Sequence, residues 1–153
     1  MTFAELNGGS DWVLPAARNK TKLDLERPLS KAAMAALQRG PRIDGSEFVF
    51  STTGRRPIGG MARWKAKFDE ACGVRNYTLH DLRRSARSLM SRAGVPADHA
   101  ERCLGHVIGG VRGTYDRYEY FSEKRLAYEA LALQIDRIVN PRDNIADLDS
   151  FAI

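Results

Sequence analysis

An α+β fold, mainly α-helical with a small antiparallel β-sheet near the N-terminus, is predicted by three observations. Two short segments, DWVLPA (11–16) and LERPLS (25–30), read as strands on either side of the polar, Lys-rich turn RNKTKLD. Further along, several segments have helical spacing of apolar residues and are bracketed by capping and stop residues. The chain has 153 residues, 43% of them hydrophobic, and no internal repeat, which suits one domain with a real core.

Each element has a local reason. Ser30 is placed to cap a helix through KAAMAALQR, which Gly40 and Pro41 close. EFVFS (47–51) reads as a buried strand or extended piece, followed by the turn TTGRRPIGG. MARWKAKFDEAC is helical and stops at Gly73. Thr78, with Asp81 three residues on, has the capping-box pattern and opens the helix LHDLRRSARSLMSRA, which Gly94 ends. Pro96 begins a short helix, ADHAERCL, stopped by Gly105. A long amphipathic helix is predicted from about Tyr115 to Val139, with Leu126, Leu131, Leu133, Ile135 and Ile138 as its apolar stripe. Residues 140–153, NPRDNIADLDSFAI, read as an acidic tail.

Charge is unevenly spread. The net charge is +5, but residues 54–118 carry thirteen Lys/Arg against six Asp/Glu, whereas residues 119–153 carry four against seven. The basic excess in the middle of the chain is where a polyanion would dock. No apolar run approaches the ~20 residues that span a bilayer, and the N-terminus has no signal-peptide pattern, so no membrane partner and a cytoplasmic location are expected. Cys72 and Cys103 belong to no metal-binding spacing and read as reduced thiols.

Chemistry first shows in the Thr78 helix. At 100° per residue, Leu79, Leu82, Ala86, Leu89 and Met90 share an apolar face, and His80, Arg84 and Arg87 lie opposite. Arg83 falls on the border, where a half-desolvated guanidinium grips phosphate oxygens with little screening. Scattered carboxylates (Asp81, Asp98, Glu101, Asp116) do not form the convergent set a two-metal nuclease needs, so no metal and no cofactor are expected. TTGRRPIGG lacks the Gly-Lys-Ser/Thr ending of a phosphate-binding P-loop; its Arg55 and Arg56 are candidate DNA contacts.

HDLRRSARSLM, then Leu-Gly-His beginning 24 residues after His80, then a tyrosine nine residues beyond His106, resembles the tyrosine recombinase (phage integrase) family. The likeness is to integrases of temperate phages and genomic islands, in which a hairpin like WVLPAARNKTK…PLS precedes a helix and YxRxxY surrounds the nucleophile. It covers residues 1 to about 135. The resemblance implies the tyrosine recombinase catalytic-domain fold and a site-specific DNA recombinase that cleaves and rejoins strands through a 3′-phosphotyrosyl intermediate. Tyr115 is then the nucleophile, Arg83, His80 and His106 are catalytic, and Lys20 is the general acid on the leaving 5′-oxygen. Lys22 sits two residues away on the same turn, so the choice of acid stays open between them. Lys22, Arg84, Arg87, Arg55, Arg56 and Arg112 are expected to contact DNA, and the implied partners are double-stranded DNA and, for the full-length protein, sister subunits in a tetramer on DNA.

The family's first catalytic arginine lies on a helix ahead of the segment matching MTFAEL. Residues 1–139 are therefore expected to form a partial catalytic domain without that arginine, followed by the tail at 140–153. Two other readings carry the same residues: a catalytically silent DNA-binding remnant, and a type IB topoisomerase-like enzyme. Among the clustered tyrosines, Gly109, Gly110 and Gly113 make the approach to Tyr115 permissive, whereas Tyr118 and Tyr120 read as packing residues. His99 reads as a helix-surface histidine, and Trp12 and Trp64 as packing anchors.

Overall fold

The computed structural model describes residues 1–106, 115 and 118–141. A short 3-10 turn, Phe3–Glu5, leads into strand β1 (Leu6–Asn7). Gly8 and Gly9, both with left-handed backbone, turn the chain into β2 (Asp11–Leu14). A second 3-10 turn, Ala16–Arg18, opens the connection to β3 (Leu25–Pro28). The three strands form an antiparallel sheet in the order β1-β2-β3, with Trp12 opposite Arg27 and Leu14 opposite Leu25. The Arg27 guanidinium lies 5.5 Å from the Trp12 ring centroid, a cross-strand cation–π pair. The predicted two-stranded hairpin is present, and β1 extends it by a strand that its two residues are too short to announce.

Helices α1 (Lys31–Arg39), α2 (Met61–Cys72), α3 (Leu79–Arg92) and α4 (Ala97–Leu104) begin and end where their caps predict. Ser30 Oγ accepts from Ala33 N–H at 3.2 Å. Asp81 Oδ2 accepts from the Thr78 N–H at 2.9 Å and from its hydroxyl at 2.7 Å, completing the capping box. Gly73 and Gly105 close α2 and α4 in the left-handed conformation.

Three expectations need correction. EFVFS is the extended piece of the two alternatives and not a buried strand: Phe48 bridges Thr2, Val49 N–H donates to the Met1 carbonyl, and Phe50 is exposed. The last helix, α5, runs Phe121–Val139 rather than continuing from Tyr115. Residues 118–120 are non-helical, with Tyr120 in the left-handed region at φ 53°, its ring held under the Arg102 guanidinium at 3.8 Å and beside Tyr118. The stripe on α5 is also different. Lys124, Ala127, Tyr128, Leu131 and Gln134 turn inward, whereas Leu126 and Leu133, seven residues apart on another face, are exposed.

The core is small. Met90 of α3, Ala100 and Cys103 of α4, and Ala127 of α5 are almost completely buried, with Val95, Tyr128 and Leu131 packed around them. Three polar contacts tie α5 to the N-terminal half. Lys124 Nζ donates to the Glu26 carbonyl on β3 at 3.1 Å, Arg125 pairs with Asp11 on β2 at 2.8 Å, and Glu129 Oε1 accepts from Lys31 N–H at the start of α1 at 3.0 Å. Burial pulls the Lys124 ammonium below its ordinary pKa, which the Glu26 carboxylate partly offsets. Leu79 and Leu82, expected on the core face of α3, are exposed and line an open groove with Met61, Trp64 and Phe68 of α2. The apolar face of α3 is thus divided: only its C-terminal half reaches the core.

Met90→Ala should lower unfolding free energy by about 2–5 kcal/mol, the usual cost of emptying a filled core position; urea denaturation measures it, and a loss under about 1 kcal/mol would contradict the packing. Acid should weaken the fold as well. Backbone and hydroxyl hydrogen bonds from Thr78 hold Asp81 below its ordinary 3.8. Burial tends to raise Glu5, but bonds from Trp12 and the Thr2 backbone with the Arg18 charge outweigh it, leaving Glu5 below 4.5. Groups depressed in the folded state contribute stability above their unfolded values and lose it as pH falls through their folded values. The urea midpoint should therefore change little with these groups near pH ~6 and drop toward pH ~3.

Candidate active site

Arg83 sits on α3 two turns before Met90, and His106 follows α4 three residues after Cys103. Packing Met90 against Cys103 therefore brings Arg83 to the C-terminal end of α4. There one Arg83 terminal nitrogen donates to the Leu104 carbonyl at 2.5 Å and approaches His106 Nε2 at 3.0 Å. The carbonyl is one of those a helix end leaves without an intrahelical partner, so the arginine also completes the helix terminus. Gly105 makes the approach feasible: its φ is +71°, and a Cβ there would meet Leu25 Cδ2 at 3.1 Å.

A carboxylate completes the cluster. Glu101 receives the His106 Nδ1 side on one oxygen and Arg87 Nε on the other at 2.7 Å. Its own backbone carbonyl accepts from His106 N–H at 3.1 Å. Arg87 also donates to Ser91 Oγ at 2.6 Å. The Arg87 guanidinium, then the imidazole, hold the Glu101 carboxyl below its ordinary value. By spacing along the chain alone, Glu101 is one of several scattered carboxylates. The signal that finds it is its position on α4, one turn before the helix end that His106 follows.

Each of the other expected site residues has its own local surroundings. His80 is exposed on the first turn of α3. Arg84 is exposed and paired with Asp81 at 3.0 Å, and Arg87 is engaged by Glu101 and Ser91, so both arginines expected at DNA have protein partners. Lys20 and Lys22 are exposed in the β2–β3 connection, which Asn19 closes by donating from its side chain to the Leu23 carbonyl at 2.7 Å. Arg55 and Arg56 are exposed in a loop pinned by Ser51, whose hydroxyl donates to the Arg56 carbonyl at 2.6 Å. Arg112 lies outside the described residues, as do Gly109, Gly110 and Gly113.

The tyrosines separate by environment. Burial pushes the Tyr128 phenol up to about 12, and it donates to the Cys103 carbonyl at 2.6 Å. Tyr77 is likewise raised, by burial and then by Asp69. Tyr118 and Tyr120 stack edge to face at 4.8 Å between ring centroids. His99, expected at the surface, instead packs half-buried against Tyr120 at 5.6 Å. Tyr115 is helical and 82% exposed; the segments on either side of it lie outside the described residues. Cys103 is no nucleophile, since burial pushes its thiol up to about 11. Among the described residues no three His, Cys, Asp or Glu side chains gather as metal ligands, and no helix is long and apolar enough to cross a membrane.

Comparison with known proteins adds a relative. Over 121 residues, 76% of this chain, it is 32% identical to prophage integrase IntA of Escherichia coli (strain K12). This likeness supports the integrase family. The aligned part is 29% of the length of IntA, so this chain spans well under half of that integrase. No family model and no solved structure matches the chain.

Gly105→Ala should cost about 1–2 kcal/mol, because an L-residue is strained at that φ and its Cβ presses on Leu25. Urea denaturation measures the loss, and an unchanged midpoint would show that the close approach of β3 to the α4 terminus is not as described.

Proposed function

We propose that this chain is a partial catalytic domain, residues 1–139 with an acidic tail, of a tyrosine-type site-specific DNA recombinase that integrates or excises mobile DNA. The observation that carries the reading is the meeting of Arg83 and His106, 23 residues apart in sequence, at 3.0 Å on an exposed helix end. The likeness to a prophage integrase supports the same role.

In this reading the Tyr115 oxygen attacks a DNA phosphorus, the bond from phosphorus to the 5′-oxygen breaks, and a 3′-phosphotyrosyl link forms. Charge grows on the non-bridging oxygens as the phosphorane develops. Arg83 donates to them, and His106 meets the same oxygens once protonated at Nε2. A free phenol has a pKa near ~10, so attack at neutral pH needs a base, and His80 serves as that base or as a proton shuttle. Lys20 protonates the departing 5′-oxygen. Attack by a new 5′-hydroxyl on the phosphotyrosyl link reverses these steps and joins strands. Arg55, Arg56, Arg84, Lys22 and Arg112 contact the backbone of double-stranded DNA, and the full-length protein acts as a tetramer on it.

The test joins this chain to the N-terminal segment that the resemblance implies and offers a nicked duplex whose short 5′-product diffuses away. A covalent protein–DNA adduct should accumulate. Tyr115→Phe should abolish it while leaving duplex affinity unchanged, since only a hydroxyl is lost. Arg83→Ala should slow cleavage on the order of 10²–10³-fold, the effect of removing one donor to a developing oxyanion. An adduct that survives Tyr115→Phe and disappears in Tyr118→Phe would overturn the assignment, and DNA binding without any adduct would favour a silent DNA-binding module.

A further inference from the structure

We propose that Glu101 is a positioning residue of this site: its carboxylate sets the tautomer and the orientation of His106, so that the imidazole turns its Nε2 edge toward Arg83. The proposal rests on the recombinase reading only for what that edge then meets, a phosphate oxygen.

Two contacts determine the imidazole's state. A terminal N–H of Arg83 is directed at Nε2 at 3.0 Å, and arginine can only donate. Nε2 is therefore the acceptor nitrogen, and the proton sits on Nδ1. An ionised carboxylate can only accept, and Glu101 meets the ring at Nδ1. Both assignments agree: one proton, on Nδ1, satisfies both partners. With the Nε2–H tautomer instead, the ring would turn a lone pair to the carboxylate and an N–H to the guanidinium.

Glu101 is suited to this task because it is itself held from two sides. Arg87 Nε takes its second oxygen at 2.7 Å, and Ser91 Oγ fixes Arg87 in turn at 2.6 Å. The backbone of Glu101 also accepts from the His106 N–H, so the residue grips both ends of the histidine. The pairing adds little to stability, since the His106 and Glu101 side chains are 51% and 36% exposed and solvent screens them. Its value lies in direction. A ring free to rotate about its side-chain torsions would offer either nitrogen to an incoming phosphate, whereas the bound ring offers one. The device matches the carboxylate–histidine arrangement that orients imidazoles in other active sites, where the group bound to one nitrogen decides which face of the ring reacts.

Long-range proton–nitrogen spectra of the 153-residue chain near neutral pH test this without any DNA chemistry. His106 resonances are assigned by their loss in His106→Asn. The wild-type chain should show His106 with Nδ1 protonated and Nε2 bare. Glu101→Ala frees the ring to rotate and should replace that single pattern by a mixture that includes Nε2–H, with the amide signal of Met90 unmoved. If Glu101→Ala does not fold, Glu101→Gln serves. Arg87 and His106 meet separate oxygens of Glu101, and Gln replaces one of them by an NH2 donor, so the Nδ1–H pattern should weaken. A wild-type ring already in the Nε2–H form, or a folded Glu101→Ala that keeps Nδ1–H alone, would overturn the proposal. Loss of the pattern as expected, together with no phosphotyrosyl adduct in the cleavage assay, would sink the recombinase reading and leave this one standing.

Discussion

Everything at the candidate site depends on how closely α3 and α4 pack. Ala100 and Ala127 put no more than a methyl group between helices, and Met90 fills the space beside Cys103 with an unbranched side chain that adapts to an irregular gap. This close seam brings Arg83 of one helix to the C-terminus of the next. Arg83 is then doubly used. It satisfies the Leu104 carbonyl that the end of α4 leaves open, and it presents the rest of its guanidinium beside His106. A wider seam would break both contacts at once, because the hydrogen-bond reach of one side chain spans the gap.

The rest of the fold braces this seam from outside. Helix α5 contributes Ala127 to the core and anchors itself through Lys124, Arg125 and Glu129 to β3, β2 and the start of α1. The Lys124 ammonium loses hydration on burial, and the Glu26 carbonyl oxygen is the group that receives it. The hairpin is thereby tied to α5, with Leu25 of β3 lying against Gly105. That contact sets Leu25 of β3 beside the residue that precedes His106. Helix α2 stands apart from this bracing. Met61 and Phe68 remain exposed, and the groove they share with Leu79 and Leu82 is apolar.

Charge in the site is balanced by a short relay. The cationic groups Arg83 and Arg87 lie on one helix face, and a single carboxylate, Glu101, comes between Arg87 and His106. Arg87 is thus partly neutralised inside the protein, whereas among the described residues Arg83 donates to the Leu104 carbonyl and meets the His106 imidazole. Two arginines one turn apart consequently differ in what they can offer an anion.

Much of this was legible in the sequence wherever the cause is local. Ser30, Thr78 with Asp81, Gly73 and Gly105 set helix ends through hydrogen bonds and backbone torsions that reach only a few residues, and those ends appear where they were expected. The spacing of His80, Arg83 and His106, and with it the likeness to an integrase, is likewise a property of the linear chain. Only the tertiary structure decided which apolar faces are covered, because periodicity marks a face as apolar without saying what lies opposite: Met90 met α4, whereas Leu79 and Leu82 met an open groove. It also decided that the chain breaks before Phe121, where the Tyr120 ring packs against Arg102 and Tyr118, contacts that the local sequence does not encode. Glu101 belongs to the same class. Its meeting with Arg87, fourteen residues away, arises from the packing of two helices, and no spacing along one of them encodes it.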